Sequence, residues 1–130
     1  MKTRGFEVQL PGLPPTANNL FRAGRHGRGR YKTRQYRDWL TETEARFLLA
    51  GRNLSAGKPW SLCVSVRGLK RTRDLDNCLK PIVDALVRTG LVPDDRWLDR
   101  IVMVREIGPT GAPKDDEESV SVIFWEGSHA

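Results

Sequence analysis

Apolar and polar residues alternate at period two through Phe6-Glu7-Val8-Gln9-Leu10, which predicts a β-strand with one buried face. Pro11, Gly12, Pro14 and Pro15 end it, and Asn18-Asn19 continue the turn chemistry. Glycine and arginine then dominate up to Arg30, a composition that cannot pack a core, so residues 22–32 are expected to form a flexible basic surface loop. Beyond a cap at or near Thr33, Tyr36, Trp39, Leu40, Thr43 and Phe47 recur at three- and four-residue steps. That spacing predicts a helix to about Leu49 with one apolar stripe, and Gly51 as its stop.

A second strand reads from Trp60-Ser61-Leu62-Cys63-Val64-Ser65-Val66, which is alternating and rich in β-formers. A basic loop and a group of aspartates lead from it into a second helix, whose buried side carries Leu79, Ile82, Val83, Leu86 and Val87. Gly90 is its natural breaker. Pro81 would cost about 3 kcal/mol inside a helix, so the helix is expected to begin near Asn77 or Cys78, with Pro81 in or just past the first turn. Two more strands follow Pro93-Asp94-Asp95, near Ile101–Glu106 and Ser119–Trp125. The acidic stretch 108–118 is expected to join them as a hairpin loop, with the two strands paired antiparallel. The order β-α-β-α-β-β predicts an α+β fold over residues 1–130, a single domain with two helices on one face of a mixed sheet.

At 130 residues the chain suffices for one core. Its apolar share of 38% and charged share of 29% fit a globular protein rather than a disordered one. Nothing approaches the roughly 18 apolar residues of a membrane span. Met1-Lys2-Thr3-Arg4 leads into an alternating pattern rather than a signal sequence, so a cytoplasmic location without a membrane partner is expected. Cys63 and Cys78 lie too far apart for a CxxC motif and read as small buried hydrophobes; with the scattered His26 and His129 they make a poor zinc set.

Charge changes the picture more. The net charge is +6, and it is unevenly spread. Between Arg22 and Arg37 stand seven basic residues (Arg22, Arg25, Arg28, Arg30, Lys32, Arg34, Arg37) and no acid. A second basic group, Arg67, Lys70, Arg71 and Arg73, runs straight into the aspartates, while Asp115-Asp116-Glu117-Glu118 concentrates acid elsewhere. Such segregation makes a surface suited to a polyanion. Arg25, Arg28, Arg30, Lys32, Arg34, Lys70, Arg71 and Arg73 are the candidate DNA contacts.

The candidate chemistry lies next to that surface. Asp76, Lys80 and Asp84 follow at four-residue steps and share a helix stripe distinct from the apolar one. Asp74 precedes the helix, and Asp94 and Asp95 follow it. If the strand after the helix is an antiparallel neighbour of the strand before it, Asp74, Asp76 and Asp95 converge at one sheet end. Two carboxylates about 6 Å apart repel by roughly 3 kcal/mol at an effective dielectric of 20, so such a cluster wants a cation. All-oxygen ligands select Mg²⁺ or Mn²⁺. A metal so held activates water and neutralises phosphate charge, and a lysine beside it stabilises the excess charge of the transition state. Each acid also has a structural reading: Asp74 and Asp76 as helix-start residues, Asp94-Asp95 as an ordinary turn. On that reading the chain is a non-catalytic basic DNA-binding or packaging module. No GxSxG, P-loop or dinucleotide-binding motif is present, and neither histidine has a rigid partner for a triad.

Three stretches resemble the RusA family of Holliday junction resolvases. They are Leu10-Pro11-Gly12-Leu13-Pro14-Pro15-Thr16-Ala17-Asn18-Asn19, the block from Arg73-Asp74-Leu75-Asp76-Asn77 to Asp84-Ala85-Leu86, and Gly90-Leu91-Val92-Pro93-Asp94-Asp95. The resemblance implies a homodimer with one carboxylate site per subunit. It implies Mg²⁺-dependent cutting of two opposed strands of a four-way junction, leaving ligatable nicks. By motif position Asp74, Asp76 and Asp95 correspond to the metal-binding catalytic acids and Lys80 to the catalytic lysine, with Asp84, Asp94 and Asn77 in supporting places. The Gly/Arg stretch at 22–30 and the acidic loop at 115–118 match little in the family pattern.

Overall fold

In the computed structural model, which describes residues 5–50, 53–68, 74–106 and 119–128, the expected strands and helices form close to their expected bounds. The strands are β1 (Gly5–Leu10), β2 (Phe21–Ala23), β3 (Arg30–Lys32), β4 (Trp60–Arg67), β5 (Leu98–Glu106) and β6 (Ser119–Glu126); the helices are α1 (Arg34–Ala50) and α2 (Leu79–Thr89). The fold is the expected α+β, with a mixed four-stranded sheet in the order β1-β6-β4-β5. Thr33 starts α1 by accepting the Tyr36 amide on its hydroxyl at 3.1 Å. The stripe predicted for that helix is the one it buries: Tyr36, Trp39, Leu40, Thr43 and Phe47. Pro81 is the third residue of α2, where its missing N–H has no intrahelical partner to lose. Gly90 ends the helix at φ 77°, a left-handed conformation in which its N–H reaches the Val87 carbonyl.

One face of the sheet holds the core. Trp60, Leu62, Val64 and Val66 of β4, Val120, Val122 and Phe124 of β6, and Val8 and Leu10 of β1 point into one cluster with Phe47 of α1 and Ile82, Ala85 and Leu86 of α2. Each of the valine, leucine, isoleucine and phenylalanine side chains among them, fully buried, contributes about 1.5–3 kcal/mol of transfer free energy. The opposite face is polar where Glu7, Gln9, Ser65, Arg67, Glu106, Ser119 and Ser121 line a shallow hollow, closed at one end by the 3.1 Å Arg67–Glu106 ion pair.

Two expectations are corrected. The last two strands do not pair with each other. β6 lies between β1 and β4, antiparallel to both, and β5 pairs with the far edge of β4 in parallel. The stretch between them therefore closes no β-hairpin; residues 108–118 themselves lie outside the described residues. The reason is burial. β6 carries three fully buried residues at alternate positions, which suits a central strand, whereas β5 carries Asp99, Arg100 and Arg105 and an exposed Ile101, which suits an edge. The helical crossover through α2 makes the β4–β5 pair parallel.

Nor is the stretch 22–32 an irregular loop. β2 and β3 form a separate antiparallel ribbon, with Phe21 opposite Lys32 and Ala23 opposite Arg30. Gly27 and Gly29 take positive φ (71° and 67°) in the turn, so the glycines that suggest flexibility are turn residues. Thr33 fastens the ribbon to the start of α1: its N–H donates to the Leu20 carbonyl and its hydroxyl to the Asn19 carbonyl at 2.7 Å.

Cys78 is fully buried, as expected, while Cys63 is half-buried on the outer side of β4. Among the described residues no helix is long and apolar enough to cross a membrane.

Candidate active site

The helical stripe that carries Asp76, Lys80 and Asp84 continues to Arg88, one step beyond the sequence reading. Asp76 opens a short 3₁₀ turn, Asp76–Cys78, that leads into α2. Neither Leu75 before that turn nor Cys78 before α2 makes a side-chain cap, so neither helix start is closed by an aspartate. Asp74 and Asp76 are exposed and make no hydrogen bond or ion pair with any described residue. Asn77 is exposed in the same turn. Lys80 Nζ stands 3.6 Å from Asp84 Oδ1, with its own side chain 83% exposed. Arg88 Nε lies 3.2 Å from Glu44 Oε1, an ion pair that ties α2 to α1.

Asp94 and Asp95 have different roles. Asp94 precedes the 3₁₀ turn Asp95–Trp97, accepts the Arg96 amide on Oδ1 at 3.3 Å, and lies 3.8 Å from the Arg96 guanidinium. Its carbonyl accepts the indole N–H of the fully buried Trp60 at 2.9 Å, which fixes the turn to the start of β4. A hydrogen bond with Asp95 and the Arg96 amide together hold the Asp94 carboxyl below its ordinary range. That same hydrogen bond raises Asp95 above its ordinary range; partial desolvation and the Asp94 charge add to the rise, and Lys80 opposes it. A carboxyl raised by a neighbouring carboxylate is one that a cation would favour in ionised form.

Asp95 opens onto a cavity of about 300 Å³ shared with Asp84, Val87 and Arg88 of α2, Tyr36 of α1, and Phe21 and Lys32 of the ribbon. Arg30 stacks over Phe21 at 4.4 Å from its centroid, and Phe21 meets Tyr36 edge-on at 5.7 Å. Burial, chiefly, raises the Tyr36 hydroxyl above its ordinary range; Asp84 and Glu44 add to this and Arg88 opposes it.

This placement departs from the convergence expected of Asp74, Asp76 and Asp95. That expectation required β5 to be an antiparallel neighbour of β4. Because the two are parallel, Asp94-Asp95 sits beside Trp60, the start of β4, and the chain leaves β4 toward Asp74 from the opposite sheet end. Asp84, not Asp74 or Asp76, shares the cavity with Asp95. Among the described residues no group of three His, Cys, Asp or Glu side chains is close enough to hold a metal ion. The donors fit a hard divalent cation in kind, being carboxylates without imidazole or thiolate. In number, one chain brings two to this cavity.

Of the candidate DNA contacts, Arg25, Arg28 and Arg30 lie on the ribbon and its turn, Lys32 lines the cavity, and Arg34 opens α1 within 3.9 Å of Asp38. Lys70, Arg71 and Arg73 lie outside the described residues. Sequence reasoning missed Arg88, Glu44, Tyr36 and Phe21 as neighbours of the site. Arg88 alone had a legible signal, its place four residues after Asp84.

An α+β domain with a carboxylate-lined cavity beside a basic ribbon has the make-up of a protein that handles phosphodiesters. Residues 52–114 match the family model for the endodeoxyribonuclease RusA, a likeness that covers just under half of the chain. The matched segment contains Asp74, Asp76, Lys80, Asp84, Asp94 and Asp95. No curated protein matches the chain.

Proposed function

We propose that this protein is a structure-selective DNA endonuclease that resolves four-way junctions by paired nicks in opposed strands, as a homodimer using Mg²⁺, for which Mn²⁺ can substitute. The observation that carries this reading is that the family segment holds two exposed aspartates, Asp74 and Asp76, that cap no helix and pair with no described residue. Asp74 and Asp76, with Asp95 as the third acid by motif position, are the residues that would have to be drawn together around a cation, since they do not meet in this structure. A bound cation would supply an activated water and neutralise phosphate charge. The chain's own residues do the rest. Lys80 brings a compact positive charge to the scissile phosphate, Asp94 fastens the turn that presents Asp95, and the arginines of the ribbon hold neighbouring phosphates. The alternative of a non-catalytic DNA-binding or packaging module reads Asp74 and Asp76 as helix-start residues. Asp76 does lie in the first turn of its 3₁₀ segment, but no side-chain cap closes that turn or α2, which favours the catalytic reading.

The test is Asp76→Asn, which keeps size and hydrogen bonding while removing one anionic oxygen donor. The expected protein binds synthetic four-way junctions at least as tightly as wild type without metal, and does not cut them in Mg²⁺. Cleavage within about tenfold of wild type would remove Asp76 from the site.

A further inference from the structure

The cavity beside Asp95 does not end at α2. A second hollow of about 290 Å³ runs on between the two helices, lined by Lys32, Arg37, Leu40, Thr41, Glu44 and Arg88, and Lys32 and Arg88 border both. Helical spacing explains the continuity: Arg37, Leu40, Thr41 and Glu44 share one stripe of α1, and Asp84, Val87 and Arg88 one stripe of α2. The charge changes along the way. At the first hollow Lys32 and Arg88 face two carboxylates, Asp84 and Asp95; at the second, three cations face Glu44 alone.

Those three cations are available. Lys32 and Arg37 make no ion pair with any described residue, and Arg37 is exposed. Arg88 is half-exposed and engages Glu44 through Nε. The contact is off the line of a hydrogen bond, so Glu44 Oε1 is a buried oxygen with a charge partner but no donor. The guanidinium keeps its outer N–H groups free for an acceptor, in the fork geometry that suits phosphate.

We infer that this inter-helix groove is a phosphodiester track, in which Lys32, Arg37 and Arg88 bind the backbone of the DNA strand that continues from the carboxylate cavity. The inference rests on the proposed function and adds to it a binding path along α1 and α2, separate from the tip of the ribbon. Glu44 tempers the track, because its carboxylate competes with a phosphate for Arg88.

The test measures binding of full-length protein to a synthetic four-way junction and to linear duplex over a salt series, with melting temperatures for every variant. Each neutralised phosphate contributes about 0.9 to the slope of log K against log salt. Arg37→Ala should therefore flatten the slope by about one unit, and Arg37→Ala with Arg88→Ala by about two. Glu44→Gln should tighten binding by about two- to fivefold, the scale of one partly exposed ion pair. An arginine that only clamps α2 to α1 predicts otherwise: Arg88→Ala and Glu44→Gln both melt lower, and neither alters slope or affinity. That result, or an unchanged slope for Arg37→Ala alone, which breaks no ion pair, overturns the track. Failure of the proposed function reads differently. A wild type that binds linear duplex as well as junctions and cuts neither overturns the resolvase reading, while the slopes on duplex still decide the track. A wild type that binds no DNA overturns both.

Discussion

Lys80 is the residue whose role most depends on what surrounds it. Its 3.6 Å pair with Asp84 is an exposed i,i+4 contact, worth about 0.2–0.5 kcal/mol to the helix. Its field also reaches Asp95, where it opposes the rise in that carboxyl's pKa. A compact ammonium there contributes most when the reacting phosphate is most negative. Lys80→Ala is accordingly expected to slow junction cleavage by about 10²–10³, roughly 2.7–4 kcal/mol, with little change in melting temperature. A variant that melts lower and cuts normally would make the lysine structural. Asp94 offers a second test, through pH. Its carboxylate raises Asp95, so the ionised form of Asp95 is disfavoured until the pH exceeds that raised value. Asp94→Asn can still accept the Arg96 amide but removes the charge, so the Asp95 pKa falls and the acid limb of the cleavage–pH profile moves to lower pH. A limb that stays in place or moves upward would show that Asp95 is not the group being titrated.

Among the elements, the ribbon is the one whose sequence pattern was least informative. Its strands are three residues each, too short for a periodicity to register, and its apolar content is Phe21, Ala23 and an exposed Tyr31. What makes it a ribbon is turn chemistry and anchorage. Gly24 donates to the Gly29 carbonyl at 3.0 Å and accepts from Gly27, and a Cβ at Gly24 would run into the Arg28 carbonyl oxygen. Gly24→Ala must therefore distort the turn and displace Arg25, Arg28 and Arg30, while the core, which lies elsewhere, is untouched. We expect a small change in melting temperature and a salt slope for junction binding flatter by about one to two units. Unchanged binding would show that the ribbon's shape does not matter to DNA. α2 stands at the other extreme: an apolar stripe, a proline acceptable only in the first turn and a glycine at the stop made it legible to within a residue or two.

At the scale of the molecule, the segregation of charge is a prediction about DNA binding as a whole. If the ribbon supplies phosphate contacts and not chemistry, replacing Arg25, Arg28 and Arg30 together by alanine should flatten the salt slope by about two to three units. The single-turnover rate of bound junction should change far less, and an unchanged slope would make the ribbon's charge a solvated surface. Local residues by themselves determined the existence and type of the main elements, because period-two and period-3.6 burial are properties of a segment. They also determined the composition of the chemical block from Arg73 to Asp95. What only the tertiary structure decided was adjacency. Placing β6 rather than β5 between β1 and β4 is a contest between whole strands for the most buried place, won by Val120, Val122 and Phe124 against a strand carrying Asp99, Arg100 and Arg105. That choice reverses the expected direction of β5, separates the turn of Asp95 from the sheet end that leads to Asp74, and sets Asp95 instead with Asp84, Arg88, Tyr36 and Lys32. No spacing within a segment carries that information, since it depends on which strands exclude water best once all four are packed.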